Sequence, residues 1–105
     1  MERIDTEALK KASESLGEKE IILDVRTEEE YQDGHIDGSI QIMHEDVGME
    51  SDRLKSYEKI YVVCRSGKRA QLACQTLESQ GFQNLICVSN GGMAEWSEKG
   101  YPTVK

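Results

Sequence analysis

The chain has 105 residues, the length of one ordinary domain, and no proline- or glycine-rich stretch divides it. Its formal net charge of −7 argues against nucleic acids and anionic membranes as partners, because both would repel the molecule as a whole. No apolar run approaches the roughly 18 residues that span a bilayer, and residues 1–11 are too charged for a secretory signal. We therefore expect one domain that stays in the cytoplasm.

The three cysteines are expected to be free thiols. Cys64, Cys74 and Cys87 are odd in number and show neither a CxxC pair nor the spacing of zinc ligands. This pattern is typical of a protein in a reducing compartment. Nothing in the sequence indicates a metal or an organic cofactor.

The first predicted elements are a helix and a buried strand. Asp5 is a good N-cap for the helix, and Gly17 is its expected C-terminal stop. Apolar residues recur between them at helical spacing: Ala8, Leu9, Ala12 and Leu16. Residues 21–25 form a short apolar run typical of a buried strand, and the charged residues Asp24 and Arg26 lie at its carboxyl end. Polar groups in this position are candidates for a functional site.

Three less regular segments follow. Thr27 and Glu30 make a capping box, which predicts a short helix that ends near Gly34. Residues 39–43 are typical of a second, weaker strand. Residues 45–57 are predicted to be helical, although their apolar periodicity is poor.

The second half of the chain alternates between strands and helices. Residues 60–63 form a β-branched and aromatic strand, and residues 85–88 form a further apolar strand. A helix that ends at Gly81 lies between them, and a turn at residues 90–92 leads into a last helix around Trp96. Because strands alternate with helices, we expect crossover connections and a mainly parallel sheet covered on both faces.

Cys64 directly follows the strand of residues 60–63, where the chain must turn before the next helix. Gly67 can adopt the positive φ of a tight loop, whose successive backbone N–H groups point at the mouth of the helix. The helix dipole adds about half a positive charge there, and three cationic side chains add full charges. Such surroundings favour the ionised form of a cysteine, so we expect Cys64 to be a nucleophile in an anion-binding loop. The predicted loop comprises Arg65, Ser66, Gly67, Lys68 and Arg69.

The alternative is that Cys64 is a small buried residue without a chemical role. Most cysteines in proteins are of this kind. The cations, the glycine and the following helix argue against it, because a structural cysteine needs none of them. Cys74 lies about 9 Å or more further along the predicted helix, and Cys87 lies within an apolar strand. We expect neither of these two to take part in catalysis.

Three ordered motifs resemble those of single-domain rhodaneses. Residues 64–69 resemble the active-site loop of that family. Motif residues between Leu23 and Ser39 resemble its first signature, and motif residues between Gly91 and Pro102 resemble its C-terminal one. Together the motifs cover nearly the whole chain, which makes the resemblance far more specific than an isolated CxxxxR pattern.

The resemblance implies a rhodanese-like α/β fold, with a central, mainly parallel five-stranded sheet and helices on both faces. It also implies sulfurtransferase activity, in which a persulfide on Cys64 carries sulfur from a small anionic donor such as thiosulfate. The acceptor would be a thiol, cyanide or another protein. In this fold a six-residue loop is associated with sulfur transfer, whereas related phosphatases have one residue more. Four residues separate Cys64 from Arg69, so we expect the pocket to be too small for phosphate.

Two other functions use the same fold. One is a non-catalytic module that binds a partner protein, and the other is a phosphatase or arsenate reductase that acts through Cys64. The intact cysteine loop argues against the first, and the loop length argues against the second.

Three polar residues outside the loop are expected to support it. Asp24 and Arg26 are predicted to pair beneath the loop and to hold its backbone, the alternative being an exposed pair worth less than about 1 kcal/mol. His35 is expected to have a structural hydrogen-bonding role, because a thiolate that its loop already ionises needs no general base. Trp96 is predicted to belong to the core.

Overall fold

The computed structural model describes residues 1–105. The strands are β1 (Glu2–Asp5), β2 (Glu20–Asp24), β3 (Ile40–Gln41), β4 (Lys59–Val63) and β5 (Leu85–Asn90). The helices are α1 (Thr6–Ser13), α2 (Glu28–Asp33), α3 (Lys68–Ser79) and α4 (Met93–Glu98), and a short 3₁₀ helix (Ser51–Leu54) precedes β4.

The five strands form one parallel sheet in the order β1-β5-β4-β2-β3. β4 is the central strand, and β2 and β5 are its neighbours. Since all strands run the same way, the residues that follow them gather at one edge of the sheet, where α/β proteins bind their ligands. The α/β fold with a five-stranded parallel sheet is therefore confirmed.

Side chains of the central strands alternate between two buried layers. Val62 faces the layer that α3 covers with Leu77, whereas Val63 faces the layer that contains Leu9 of α1 and Trp96 of α4. Trp96 is 1% exposed, as predicted for a core residue. Both faces of the sheet are buried because its central strands are apolar on both sides.

The edge strand β1 was not predicted from the sequence. Three of its four residues are charged and exposed, and it pairs only with β5. Charged side chains are typical of an edge strand, because they discourage pairing with another chain. They also hide the strand from a search for apolar runs. Asp5, at the end of β1, accepts the N–H of Ala8 at 2.9 Å and is the predicted N-cap of α1.

The helix predicted for residues 45–57 is wrong. Only the 3₁₀ helix at Ser51–Leu54 forms there, and turns precede it. Gly48 lies against the C-terminal end of α3, where its carbonyl accepts a hydrogen bond from Nε2 of the C-cap residue Gln80 at 3.1 Å. The chain is thus tied to a neighbouring helix at a residue with low helix propensity.

Two predicted boundaries also differ. Helix α1 ends at Ser13 rather than near Gly17, and the hydroxyl of Ser13 donates to the carbonyl of Lys10 at 2.6 Å. Such local bonds compete with continuation of a helix. The strand predicted for residues 39–43 is reduced to Ile40–Gln41. None of the helices is both long enough and apolar enough to cross a membrane.

Candidate active site

Cys64 lies directly after the central strand β4, in the middle of the row formed by the carboxyl ends of the strands. Its Sγ accepts two backbone hydrogen bonds, one from the N–H of Gly67 at 3.1 Å and one from the N–H of Ala70 at 3.3 Å. The N–H of Ala70 is one of the amides that have no partner within α3, since it belongs to the first helical turn. The sulfur therefore lies where amide hydrogens and the helix dipole favour a negative charge.

Gly67 has the conformation that this loop requires. Its φ of 102° lies in the left-handed region, and it is the N-cap residue of α3 without a side chain to cap the helix. A Cβ atom at this position would lie 2.5 Å from the carbonyl oxygen of Ser89 and 3.3 Å from that of Gly91. Both the positive φ and the lack of space for a Cβ atom favour glycine at this position.

The side chain of Cys64 is buried, although it lies at the N-terminal end of helix α3. Cys64 is 1% exposed and packs with the apolar layer beneath α3. Arg65, Ser66 and Lys68 are exposed on the outside of the loop. A reactant therefore has to approach the sulfur from the loop side rather than across the core.

The start of α4 holds the loop from outside. The carbonyl of Cys64 accepts the N–H of Met93 at 2.9 Å, and the carbonyl of Arg65 accepts the N–H of Ala94 at 3.0 Å. Gly92 approaches so closely that a Cβ atom there would lie 2.4 Å from the carbonyl oxygen of Cys64. In a planar trans peptide the N–H points opposite to the carbonyl, so the N–H groups of these two peptide planes point away from α4. Docking of α4 thus orients the first half of the loop.

Arg69 is bound by α2. Its two terminal nitrogens donate to the two carboxylate oxygens of Glu30 at 2.7 and 3.0 Å. Glu30 also completes the predicted capping box with Thr27, whose Oγ1 accepts the Glu30 N–H at 3.2 Å. The hydrogen bond from Arg69 lowers the pKa of Glu30 to about 2, and the same contact raises the pKa of Arg69. Direct contact between Arg69 and a bound anion stays a prediction.

The loop has two further cations that no carboxylate of the protein engages. Arg65 and Lys68 are exposed and take part in none of the salt bridges. Arg65 lines an open cleft of about 540 Å³ between α2 and α4, together with Arg26, Glu30 and Asp33. A small anion or an extended segment of another molecule has room to approach the loop along this cleft.

Asp24 and Arg26 form the expected ion pair, and it is buried. The guanidinium of Arg26 donates to both carboxylate oxygens of Asp24, with the shortest distance 2.8 Å, and the side chains are 9% and 1% exposed. Arg26 also donates to the carbonyl of Gly34 at 2.8 Å, at the C-terminal end of α2. None of these bonds reaches the Cys64 loop, so a direct role in holding its backbone stays a prediction. The pair fixes α2, and α2 reaches the loop through its bond to Arg69.

His35 makes contacts expected of a structural residue. Its Nδ1 lies 2.8 Å from the carbonyl oxygen of Tyr31, and the two rings stack with centroids 3.7 Å apart. Its backbone exchanges two hydrogen bonds with Val104 near the end of the chain. These contacts hold α2 to the C-terminal segment and engage no atom of the Cys64 loop.

Cys74 and Cys87 are fully enclosed in the layer between α3 and the sheet. Contact with the thiol of Cys87, together with burial, raises the pKa of Cys74. A thiol held in its neutral form is a poor nucleophile. Cys74 is therefore a core thiol in the structure, and its expected absence from catalysis stays a prediction.

Comparison with known proteins decides which family this fold and loop represent. Residues 5–99, which contain both the Cys64 loop and the start of α4, match the rhodanese-like domain. The chain belongs to the rhodanese family. The predicted resemblance is therefore confirmed.

Two curated rhodanese relatives come from Bacillus subtilis. YtwF, which is named as a sulfurtransferase, is 31% identical over 102 residues that cover 97% of this chain and 96% of YtwF. YrkF, which is named as a sulfur carrier protein, is 38% identical over 96 residues that cover 91% of this chain. This chain spans only 51% of YrkF, about half its length.

A solved rhodanese-like domain gives the same answer for the fold. The solution structure of this domain from the Anabaena protein Alr3790 superimposes with a TM-score of 0.84 at 33% identity, covering 99% of this chain and 79% of that one. The names of the curated relatives place sulfur transfer and sulfur carriage within the rhodanese family.

Sequence reasoning located the Cys64 loop but missed the contacts that hold it. The N–H groups of Met93 and Ala94 contribute backbone atoms only, so no residue type marks them. The Gly91-Gly92 pair is the one available signal, and its residue types predict only a turn. Its close approach to Cys64 becomes visible only in three dimensions.

Proposed function

We propose that this rhodanese is a sulfurtransferase that carries sulfur on Cys64 between a small anionic donor and a thiophilic acceptor. The observation that supports this most strongly is the pair of N–H groups, from Gly67 and Ala70, that donate to Sγ at the start of α3. These donors stabilise the thiolate before reaction. Preorganised amides of the same loop would also stabilise the charge on the outer sulfur of a persulfide.

The reaction has two half-reactions, and in each of them one bond forms and one bond breaks. With thiosulfate as donor, the Cys64 thiolate attacks the outer sulfur, a sulfur–sulfur bond forms, and the bond to the sulfonyl sulfur breaks. Sulfite leaves with the bonding electron pair, and the negative charge now lies on the outer sulfur of the persulfide. Cyanide, or the thiolate of a small molecule or of a protein cysteine, then attacks that outer sulfur. The sulfur–sulfur bond to Cys64 breaks, and Cys64 leaves as the thiolate with the bonding electron pair. No external oxidant or reductant is needed.

The exposed cations supply a reason for an anionic donor. Arg65 and Lys68 lie on the outside of the loop and pair with no carboxylate. In a protein of net charge −7, they provide local positive charge next to the thiol. Local charge of this kind raises the concentration of an anion at the site.

The position of Arg69 argues against the phosphatase alternative. A cysteine phosphatase needs a guanidinium that faces the phosphate oxygens, because a planar bidentate donor matches them. Both terminal nitrogens of Arg69 instead bind Glu30. The short spacing between Cys64 and Arg69 points the same way, and the intact thiol with its two amide donors argues against a purely binding module.

The proposal is tested by exposing the purified protein to thiosulfate and measuring its intact mass. We expect an increase of one sulfur atom in the wild type and in Cys74→Ser, and none in Cys64→Ser. Cys74 is the matched control, because it is a buried thiol on α3 outside the loop. No mass increase in the wild type with any sulfane donor, or the same increase in Cys64→Ser, would refute the proposal.

A further inference from the structure

Thr6 carries a buried hydroxyl that the proposed reaction does not use. It is the first residue of α1 and is 0% exposed. Its Oγ1 accepts the N–H of Gly92 at 2.9 Å. Since Asp5 already caps α1 by accepting the N–H of Ala8, the helix does not need Thr6 as its cap. Another reason for a hydroxyl at this position is therefore required.

The sheet topology places Thr6 at the same end of the sheet as the Cys64 loop. Strands β1, β5 and β4 are neighbours and run parallel, so their carboxyl ends lie side by side. Thr6 follows β1, Gly91 follows β5, and Cys64 follows β4. The Gly91-Gly92 turn consequently lies between the Thr6 hydroxyl on one side and the Cys64 loop on the other.

The turn fits between its two neighbours without spare room. A Cβ atom on Gly91 would lie 2.3 Å from Oγ1 of Thr6. A Cβ atom on Gly92 would lie 2.4 Å from the carbonyl oxygen of Cys64 and 2.6 Å from that of Arg65. A displacement of the turn therefore has to move the loop carbonyls or the N–H groups of α4 that bind them.

We propose that Thr6 is a positioning residue for the Cys64 loop and acts through Gly92, an inference that rests on the sulfurtransferase function proposed above. The hydroxyl fixes the turn, and the turn presents the first N–H groups of α4 to the carbonyls of Cys64 and Arg65. Those bonds orient the two peptide planes that begin with the carbonyls of Cys64 and Arg65, so that their N–H groups point away from α4. Without the hydroxyl, the buried N–H of Gly92 loses its acceptor, and the turn shifts to find another.

Three variants separate the hydroxyl from simple packing. Thr6→Val keeps the shape of the side chain and removes the acceptor, whereas Thr6→Ser keeps the acceptor and removes the methyl group. Leu9→Val is the matched packing control, because Leu9 is buried on the same helix and contacts neither the turn nor the loop through a hydrogen bond. For each variant, the rate of Cys64 alkylation by iodoacetamide is measured by peptide mass spectrometry. The rate of sulfur uptake from thiosulfate and the melting temperature are measured in parallel.

We expect Thr6→Val to slow alkylation and sulfur uptake by about three- to tenfold, the range that loss of one neutral hydrogen bond allows. Thr6→Ser should restore most of both rates, and Leu9→Val should keep the wild-type rates even if its melting temperature falls as far. Equal slowing in Thr6→Val and Leu9→Val, or in Thr6→Val and Thr6→Ser, would overturn the proposal, because packing alone would then explain the loss.

Two provisions keep the test decisive. If Thr6→Val does not fold, Thr6→Ala compared with Thr6→Ser makes the same distinction. Alkylation needs no sulfur donor, so a wild type that takes up no sulfur would refute the proposed function while the alkylation rates still decide the role of Thr6.

Discussion

Glu30 and Arg69 join α2 to the Cys64 loop across 39 positions of sequence. The two carboxylate oxygens accept hydrogen bonds from separate guanidinium nitrogens at 2.7 and 3.0 Å, and one of them also accepts the N–H of Thr27. The side chains of Arg69 and Glu30 remain 26% and 30% exposed, so solvent screens part of their attraction. The pair therefore orients the end of the loop more than it stabilises the fold.

The low pKa of Glu30 predicts that the free energy of unfolding declines at acidic pH, which is called the acid limb below. It lies at about 2 instead of 4.5, because Arg69 donates to the carboxylate. A carboxylate with a lower pKa in the folded state stabilises the protein above pH 4.5 and loses that contribution as the pH falls towards 2. We expect Glu30→Gln to lower the free energy of unfolding at neutral pH by about 1 kcal/mol, and to flatten its decline over this acidic range.

Urea unfolding at a series of pH values measures both effects. Glu29→Gln is the control, because Glu29 is exposed on the same helix and forms no salt bridge. It should leave the profile unchanged. An acid limb as steep in Glu30→Gln as in the wild type would contradict the assignment.

The buried ion pair predicts a large effect on stability. In Asp24→Asn the guanidinium of Arg26, which is 9% exposed, loses its counter-charge, and we expect the free energy of unfolding to fall by about 3 kcal/mol or more. Glu14→Gln breaks the exposed Lys10–Glu14 pair of similar length and should change stability by less than about 0.5 kcal/mol. Denaturant unfolding at neutral pH compares the two, and effects of equal size would show that burial is not decisive.

The close contact between Gly92 and the loop predicts a specific loss of activity. In Gly92→Ala the new methyl group would collide with the carbonyls of Cys64 and Arg65, so the loop has to move. We expect sulfur uptake to fall by about tenfold or more, as a small misplacement of reacting groups does in other enzymes. Gly81→Ala is the control for backbone strain, since Gly81 has a φ of 98° but open space around its Cβ position. If both variants lose stability and activity in parallel, the contact has no special role.

The exposed cations predict a salt-dependent affinity for the donor. We expect the KM for thiosulfate to rise with ionic strength, because salt screens the attraction between the anion and exposed charges. Arg65→Gln should raise the KM by about threefold or more with little change in kcat. Lys59→Gln, at the opposite end of β4, should leave both constants unchanged. A KM that is insensitive to both salt and Arg65 would exclude electrostatic capture by this loop.

The elements around Cys64 could be predicted because each has a local cause. Strand β4 is a run of β-branched and aromatic residues, and Gly67 supplies the turn that α3 needs at its start. Strand β1 could not be predicted in this way, because its stability comes from pairing with β5 at the sheet edge and its own residues are charged. The helix predicted before β4 failed for the converse reason, since Val47 and Leu54 are apolar and buried in the core although no α-helix forms there.

The candidate site was predictable where side chains form it and unpredictable where backbone atoms form it. Cys64 and its cationic loop were recognisable from residue types alone. The bond between Glu30 and Arg69 joins residues far apart in sequence, so it depends on the strand order. The hydroxyl of Thr6 and the N–H of Gly92 meet only because β1 and β5 are neighbours.

Thiosulfate that carries radiolabelled sulfur only in its outer position tests the central claim most directly. In a single turnover, the label should appear on the peptide that contains Cys64, together with one equivalent of unlabelled sulfite, and added cyanide should remove it as labelled thiocyanate. Label that stays in solution, or that binds Cys64→Ser equally well, would show that this cysteine does not carry the sulfur.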